Sequence, residues 1–75
     1  KDAYIVEGHA DNSGLNSKNI ELSMLRADVI KDYLIKHGMP ADRLHTIASG
    51  SKFPVGDNNT AEGRALNRRV EVYLK

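Results

Sequence analysis

Hydrophobic and polar positions along the chain alternate with two different periods, and each period marks an element. Ala3-Tyr4-Ile5-Val6-Glu7 is a short β-branched and aromatic run that predicts a strand, ended by Gly8. Asp11-Asn12-Ser13-Gly14 is a cluster of turn formers and reads as a loop. From there Leu22, Leu25, Val29, Ile30, Tyr33 and Leu34 recur at three- and four-residue steps, the period of one apolar helix stripe. Ser17 is the expected N-cap, Ala27 near the stripe lets another element approach closely, and Gly38 followed by Pro40 is the stop. Lys31, Asp32 and Lys36 fall on the polar side.

Arg43-Leu44-His45-Thr46-Ile47-Ala48 alternates weakly and predicts a second strand. Residues 50–59 form a loop rich in Gly, Pro, Asn and Ser. Thr60 is suited to cap a short helix running to about Asn67. Gly63 inside that helix costs roughly 1 kcal/mol against Ala, so one or two turns are expected. Arg69-Val70-Glu71-Val72-Tyr73-Leu74 alternates cleanly, placing Val70, Val72 and Leu74 on one face of a third strand. The order is β-α-β-α-β. Because the long helix joins two strands, parallel pairing of those strands is the default.

Seventy-five residues suffice for one small domain, with little stability in reserve from its core alone. There is no cysteine, so neither a disulfide scaffold nor a Cys-based zinc site is available. Eleven basic and ten acidic side chains, interleaved, give a net charge of +1. That balance argues against a nucleic-acid partner, whose binders carry a basic face. No run approaches the roughly 18–20 apolar residues needed to span a bilayer, and no signal peptide is recognisable. Starting directly in strand-like sequence, the chain reads as a piece of a longer protein, with any membrane contact made by segments outside it.

Candidate chemistry follows from position. Asp11 lies past a strand end in a loop leading into a helix, a common place for ligand sites. As a residue it is equally a turn former capping local amides. Arg26, in the third turn of the long helix, can lie along the core and present its guanidinium at the rim. A salt bridge to Asp11 is one reading of it. The other makes the pair a receptor for a zwitterion, the carboxylate accepting an ammonium group and the guanidinium gripping a carboxylate. Asn19, in the helix's first turn, is a capping or ligand-contacting amide. Arg64, Arg68 and Arg69 form a dense basic cluster, either a solvated helix end or an anion patch. His9 and Asp11 alone do not make a zinc site, and no third ligand clearly accompanies them, so no metal and no cofactor are expected. Nor does Ser13 near His9 supply a nucleophile, base and orienter.

Three segments resemble the OmpA-like domain family. Gly8-His9-Ala10-Asp11-Asn12-Ser13-Gly14 resembles its G-H-T-D-x-x-G signature, with Ala10 replacing Thr. Residues 19–27 resemble N-x-x-L-S-x-x-R-A, and residues 58–70 resemble N-x-T-x-x-G-R-A-x-N-R-R-V. The resemblance covers essentially the whole chain, residues 1–75. It implies an α/β (α+β) fold with helices packed on a small mixed sheet, here lacking the family's usual first strand and helix. Its further implications are non-catalytic binding of peptidoglycan through the diaminopimelate of the stem peptide, a periplasmic location near the outer membrane and cell wall, and a role in anchoring an envelope protein. Carried over by motif, the ligand contacts are Asp11, Asn19, Leu22, Arg26 and Arg68. Asn67 and Arg69 are kept as structural or ligand-binding. Alternatives are an oligomerisation or interaction module of a secretion system or flagellar stator, and polyanion binding through the Arg cluster. Uncovered apolar faces would invite a homodimer or coverage by another segment.

Overall fold

A computed structural model describes residues 2–75. Strand β1 (Tyr4–Gly8) leads through a loop into helix α1 (Asn16–Lys36); a 3-10 turn (Ala41–Arg43) then precedes strand β2 (Leu44–Ala48). Helix α2 (Ala61–Asn67) and strand β3 (Val70–Leu74) complete the chain. The sheet order is β2-β1-β3, with β1 parallel to β2 and antiparallel to β3. This is the mixed β-α-β-α-β arrangement expected from the sequence, with strand bounds shifted by a residue.

Alternation along β1 divides its side chains between two environments. Tyr4, Val6 and Gly8 face α1; Ile5 and Glu7 face the other way. Val6, Ala27 and Leu44 form the buried centre, with Tyr4, Ile30, Leu34, Met39 and Val70 packed around it. Helix α1 lies over β1 and β2 and meets β3 only at its edge. Gly8 makes this possible, because a Cβ there would fall 1.8 Å from the Ser23 carbonyl oxygen. Ala27, the small residue picked out on the helix, is fully buried as expected.

Two expectations about α1 are corrected. Its N-cap is Leu15, with no side-chain cap bond, and Ser17 lies inside the helix. Gly14, at φ +78°, turns the chain so that Leu15 enters extended and its carbonyl already accepts from the Asn19 N–H. The apolar stripe is also split. The buried line along α1 is Asn19, Ser23 and Ala27, continued by the half-buried Ile30 and Leu34. Leu22, Leu25, Val29 and Tyr33 are exposed. The small side chains win the sheet-facing line because only they allow the helix backbone to approach Gly8. The larger ones are rotated to a flank that the described residues leave open. Similarly, Val70 packs on the core, whereas Val72 and Leu74, on the same face of β3, are exposed.

The end of α1 follows its sequence signals, with Gly38 at φ +103° and Pro40 beyond it. Thr60 caps α2 as expected, its Oγ1 accepting from the Gly63 N–H at 2.9 Å. Gly63 has a tertiary reason that outweighs its helix penalty: a Cβ there would lie 1.9 Å from the Asp57 carbonyl oxygen. Among the described residues no helix is long and apolar enough to cross a membrane.

Candidate functional site

The parallel strands β1 and β2 end side by side, and the loop after β1 sits where those ends meet the start of β3. Its backbone is clamped from both sides. His9 N–H donates to the Arg69 carbonyl at 2.8 Å, Ala10 N–H to Gly50 O at 2.8 Å, and Ser49 N–H to Gly8 O at 3.0 Å. The Ser23 hydroxyl ties α1 to the same place, donating to Ile20 O at 2.8 Å and accepting from Gly50 N–H at 3.0 Å. Ala10 is buried and contributes only this backbone bond to the hydrogen bonding described.

Asp11 is presented by this clamped loop. Its Oδ1 accepts from the Ser13 N–H at 2.9 Å, the local turn bond expected of such an Asp. Its Oδ2 accepts from Arg68 Nη1 at 2.6 Å. The Ser13 amide and then the Arg68 guanidinium hold the Asp11 carboxyl below its ordinary value, so it is ionised at neutral pH. Arg26 reaches the same loop, but its Nη1 donates to the His9 carbonyl at 3.2 Å. The ion-pair partner of Asp11 is therefore Arg68, fifty-seven residues away, and not Arg26. A carboxylate has about four lone-pair sites and a guanidinium five donors, so both keep free capacity.

Arg26, Arg68 and Arg69 line one open groove of about 400 Å³, with Val29, Ile30 and Val70 completing its wall. Asp11 stands beside it through its bond to Arg68. Asn19 and Leu22 lie outside this hydrogen-bonded cluster. Asn19 is buried at 3% exposure near the helix start, and Leu22 is on the open flank one turn before Arg26.

Asn67 holds the third motif together. It is fully buried, and its Oδ1 accepts from the N–H groups of Val55 and Gly56 at 2.7 and 2.8 Å. Its Nδ2 donates to Gly56 O at 3.0 Å and Asn58 Oδ1 at 2.8 Å. Asn58 Oδ1 also accepts from the Asn12 N–H at 3.4 Å, joining this loop to that of Asp11. Arg64 donates to Asn58 O, and Arg69 to Glu71, Asn67 O and Phe53 O. The basic cluster is thus directed inward to carboxylates and carbonyls, an arrangement that counts against a free polyanion-binding face.

A second cluster on the opposite face of the sheet was missed from sequence. Glu7, His9 and Glu71 lie together, with Phe53 against the His9 ring at a centroid separation of 6.4 Å. The spacing of Glu7 and His9 was visible, but Glu71 joins them only through the β1–β3 register.

Comparison with known proteins identifies the family and the fold. The sequence profile of the OmpA family matches residues 1–68. The peptidoglycan-binding protein ArfA of Mycobacterium tuberculosis is 45% identical over 92% of this chain and 21% of its own length. Outer membrane porin F of Pseudomonas aeruginosa is 46% identical over 93% of this chain and 20% of its own length. The crystal structure of the C-terminal domain of Helicobacter pylori MotB superposes with a TM-score of 0.91 at 29% identity, covering 100% of this chain and 58% of that one. The chain spans about a fifth of the length of these curated relatives, and it belongs to the OmpA family.

Proposed function

We propose that this OmpA-family chain binds peptidoglycan without catalysis, gripping the zwitterionic end of a diaminopimelate side chain in the stem peptide. The observation that carries the reading is the convergence on one clamped loop of an ionised carboxylate, Asp11, with the guanidiniums of Arg26 and Arg68. The ligand carbon bears an ammonium and a carboxylate. Asp11 accepts the ammonium with its remaining lone pairs, and Arg26 takes the carboxylate with its remaining donors. Arg68 holds Asp11 in place and adds positive charge on the carboxylate side. The apolar wall formed by Val29, Ile30 and Val70 suits the aliphatic stem of the side chain. Asn19 and Leu22 extend the contact along α1. The name and 45% identity of the mycobacterial relative support the ligand class.

In this reading residues 1–75 are one domain of a longer envelope protein acting at the cell wall, in the periplasm near the outer membrane. Affinity for one free muropeptide is modest, because exposed ion pairs are worth about 0–1 kcal/mol each. Retention on the wall comes from the repeated ligand and from tethering by the rest of the protein. Co-sedimentation with purified diaminopimelate-type sacculi tests the assignment. The parent should pellet with sacculi, and Asp11→Ala and Arg26→Ala should remain largely in the supernatant. If both variants pellet like the parent, the pocket is elsewhere.

A further inference from the structure

The face of the sheet turned away from α1 carries chemistry that the Asp11 pocket does not use. Glu7 and His9 are two residues apart, so alternation from β1 directs both to this face. The antiparallel register sets Glu71 of β3 directly opposite Glu7. Two carboxylates in that position repel, and like charges directly opposite destabilise a strand pair. His9 lies between them. Its Nε2 is 3.7 Å from Glu7 Oε2 and 3.9 Å from Glu71 Oε1, too far for hydrogen bonds. The ring is 1% exposed, and among the described residues neither of its nitrogens has a hydrogen-bond partner. An unpaired buried polar group is costly and calls for an explanation.

We propose that Glu7, His9 and Glu71 form a divalent-cation site of the zinc type. One ligand atom from each residue lies within 4.8 Å of the other two. Tetrahedral zinc with bonds of about 2.0–2.1 Å needs ligand atoms roughly 3.4 Å apart. Drawing the atoms in by up to roughly 1.4 Å closes the set, and Glu71, whose side chain is 45% exposed, has room to pivot about its bond to Arg69. The donors suit the metal: one imidazole nitrogen and two carboxylate oxygens match a borderline cation, with the fourth position open to water.

The two carboxylates are held as oriented metal ligands would be, whereas His9 Nδ1 has no partner among the described residues. Tyr73 donates to Glu7 Oε1 at 2.6 Å, Ser49 donates to Glu7 Oε2, and Arg69 Nε donates to Glu71 Oε2 at 2.7 Å. Such bonds fix ligating carboxylates, and they leave Glu71 Oε1 free for the cation. An open depression of about 510 Å³, walled by the three residues with Phe53, Arg69 and Tyr73, gives access from solvent. The positive charge of Arg69 beside Glu71 opposes the cation and lowers the expected affinity.

The site opens on the other face of the sheet from the Asp11 pocket, with Arg69 in the wall of both, and zinc binding is read without peptidoglycan present. The test is a zinc titration of the tag-free chain, followed calorimetrically, by thermal melting, and by nitrogen-15 shifts of the histidine rings. The expected result is one equivalent bound and a shift at His9 Nε2. A rise in Tm of roughly 6–11 °C is expected at tenfold excess over the dissociation constant. Glu71→Gln, an exposed change that keeps the strand pairing, should weaken zinc at least tenfold with little change in the metal-free Tm. Equal affinity in parent and Glu71→Gln would overturn the site. So would ring shifts confined to the exposed His37 and His45, or a His9 ring that responds to protons and not to zinc.

Discussion

Replacing Asn67 by Ala removes a fully buried amide that makes four hydrogen bonds to the loop at Val55, Gly56 and Asn58. Each such bond is worth about 1 kcal/mol net. Val55 is exposed and Gly56 half-buried, so water can reach part of what is uncovered. The expected loss is therefore about 3–4 kcal/mol, at the simple sum and not above it. A chain of this length holds roughly 4–11 kcal/mol in all, so the variant gives up between about a quarter and all of it. At about 4–8 °C per kcal/mol for a domain of this size, Tm should fall by roughly 12–32 °C. Urea unfolding with an unchanged slope measures the loss directly. Asn59→Ala, at an exposed position in the same segment, is the control and should stay within about 0.5 kcal/mol of the parent. A loss below about 1 kcal/mol for Asn67→Ala would refute the claim that this side chain holds the third motif together.

Gly63→Ala should destabilise by about 1–3 kcal/mol through its clash with Asp57 O, although helix propensity alone favours Ala by about 1 kcal/mol; the sign of the change in a urea melt decides between them. Arg68→Ala should move the Asp11 pKa upward, read by carboxyl NMR titration, because the guanidinium is one of the groups holding it down. With a depressed folded value, Asp11 contributes stability that is present above its unfolded pKa of about 3.9 and lost as pH falls through the folded one. The Arg68 variant should show less of this acid-dependent loss, and an unmoved Asp11 titration would contradict the pairing. Val29→Glu, on the open flank of α1, should change stability by less than about 0.5 kcal/mol in dilute solution. A larger loss would mean that the flank is covered, and light scattering at two concentrations would show whether a second copy covers it.

What was legible in the sequence was what depends on local spacing. Gly38, Pro40 and Thr60 marked helix ends through backbone rules that act within a few residues. The alternation from Val70 to Leu74 and the run at Tyr4–Gly8 identified strands for the same reason. What was not legible was tertiary choice. Periodicity showed that α1 has an apolar stripe, but the covered line is set by how closely the helix can approach Gly8, and this selected Asn19, Ser23 and Ala27 over the larger residues. Asp11 and Arg26 were singled out on residue chemistry and do meet at one loop. The pairing of Asp11 with Arg68 instead depends on β3 running beside β1, which brings the two ends of the chain together. Gly63 looked like a local cost because its benefit lies in contact with Asp57. Glu71 could not be joined to Glu7 and His9 without the strand register.

The central claim is that Asp11 and Arg26 receive the two ends of one zwitterion. A chemical-shift titration with a diaminopimelate-containing tripeptide, run against its lysine counterpart, tests this most directly, because the lysine form lacks the terminal carboxylate. The account predicts saturable shifts at Asp11, Arg26 and Arg68 with the diaminopimelate peptide, and much weaker binding of the lysine peptide with the Arg26 response lost. Equal affinity for the two peptides, or shifts that leave the residues 9–14 loop and Arg26 unmoved, would contradict it.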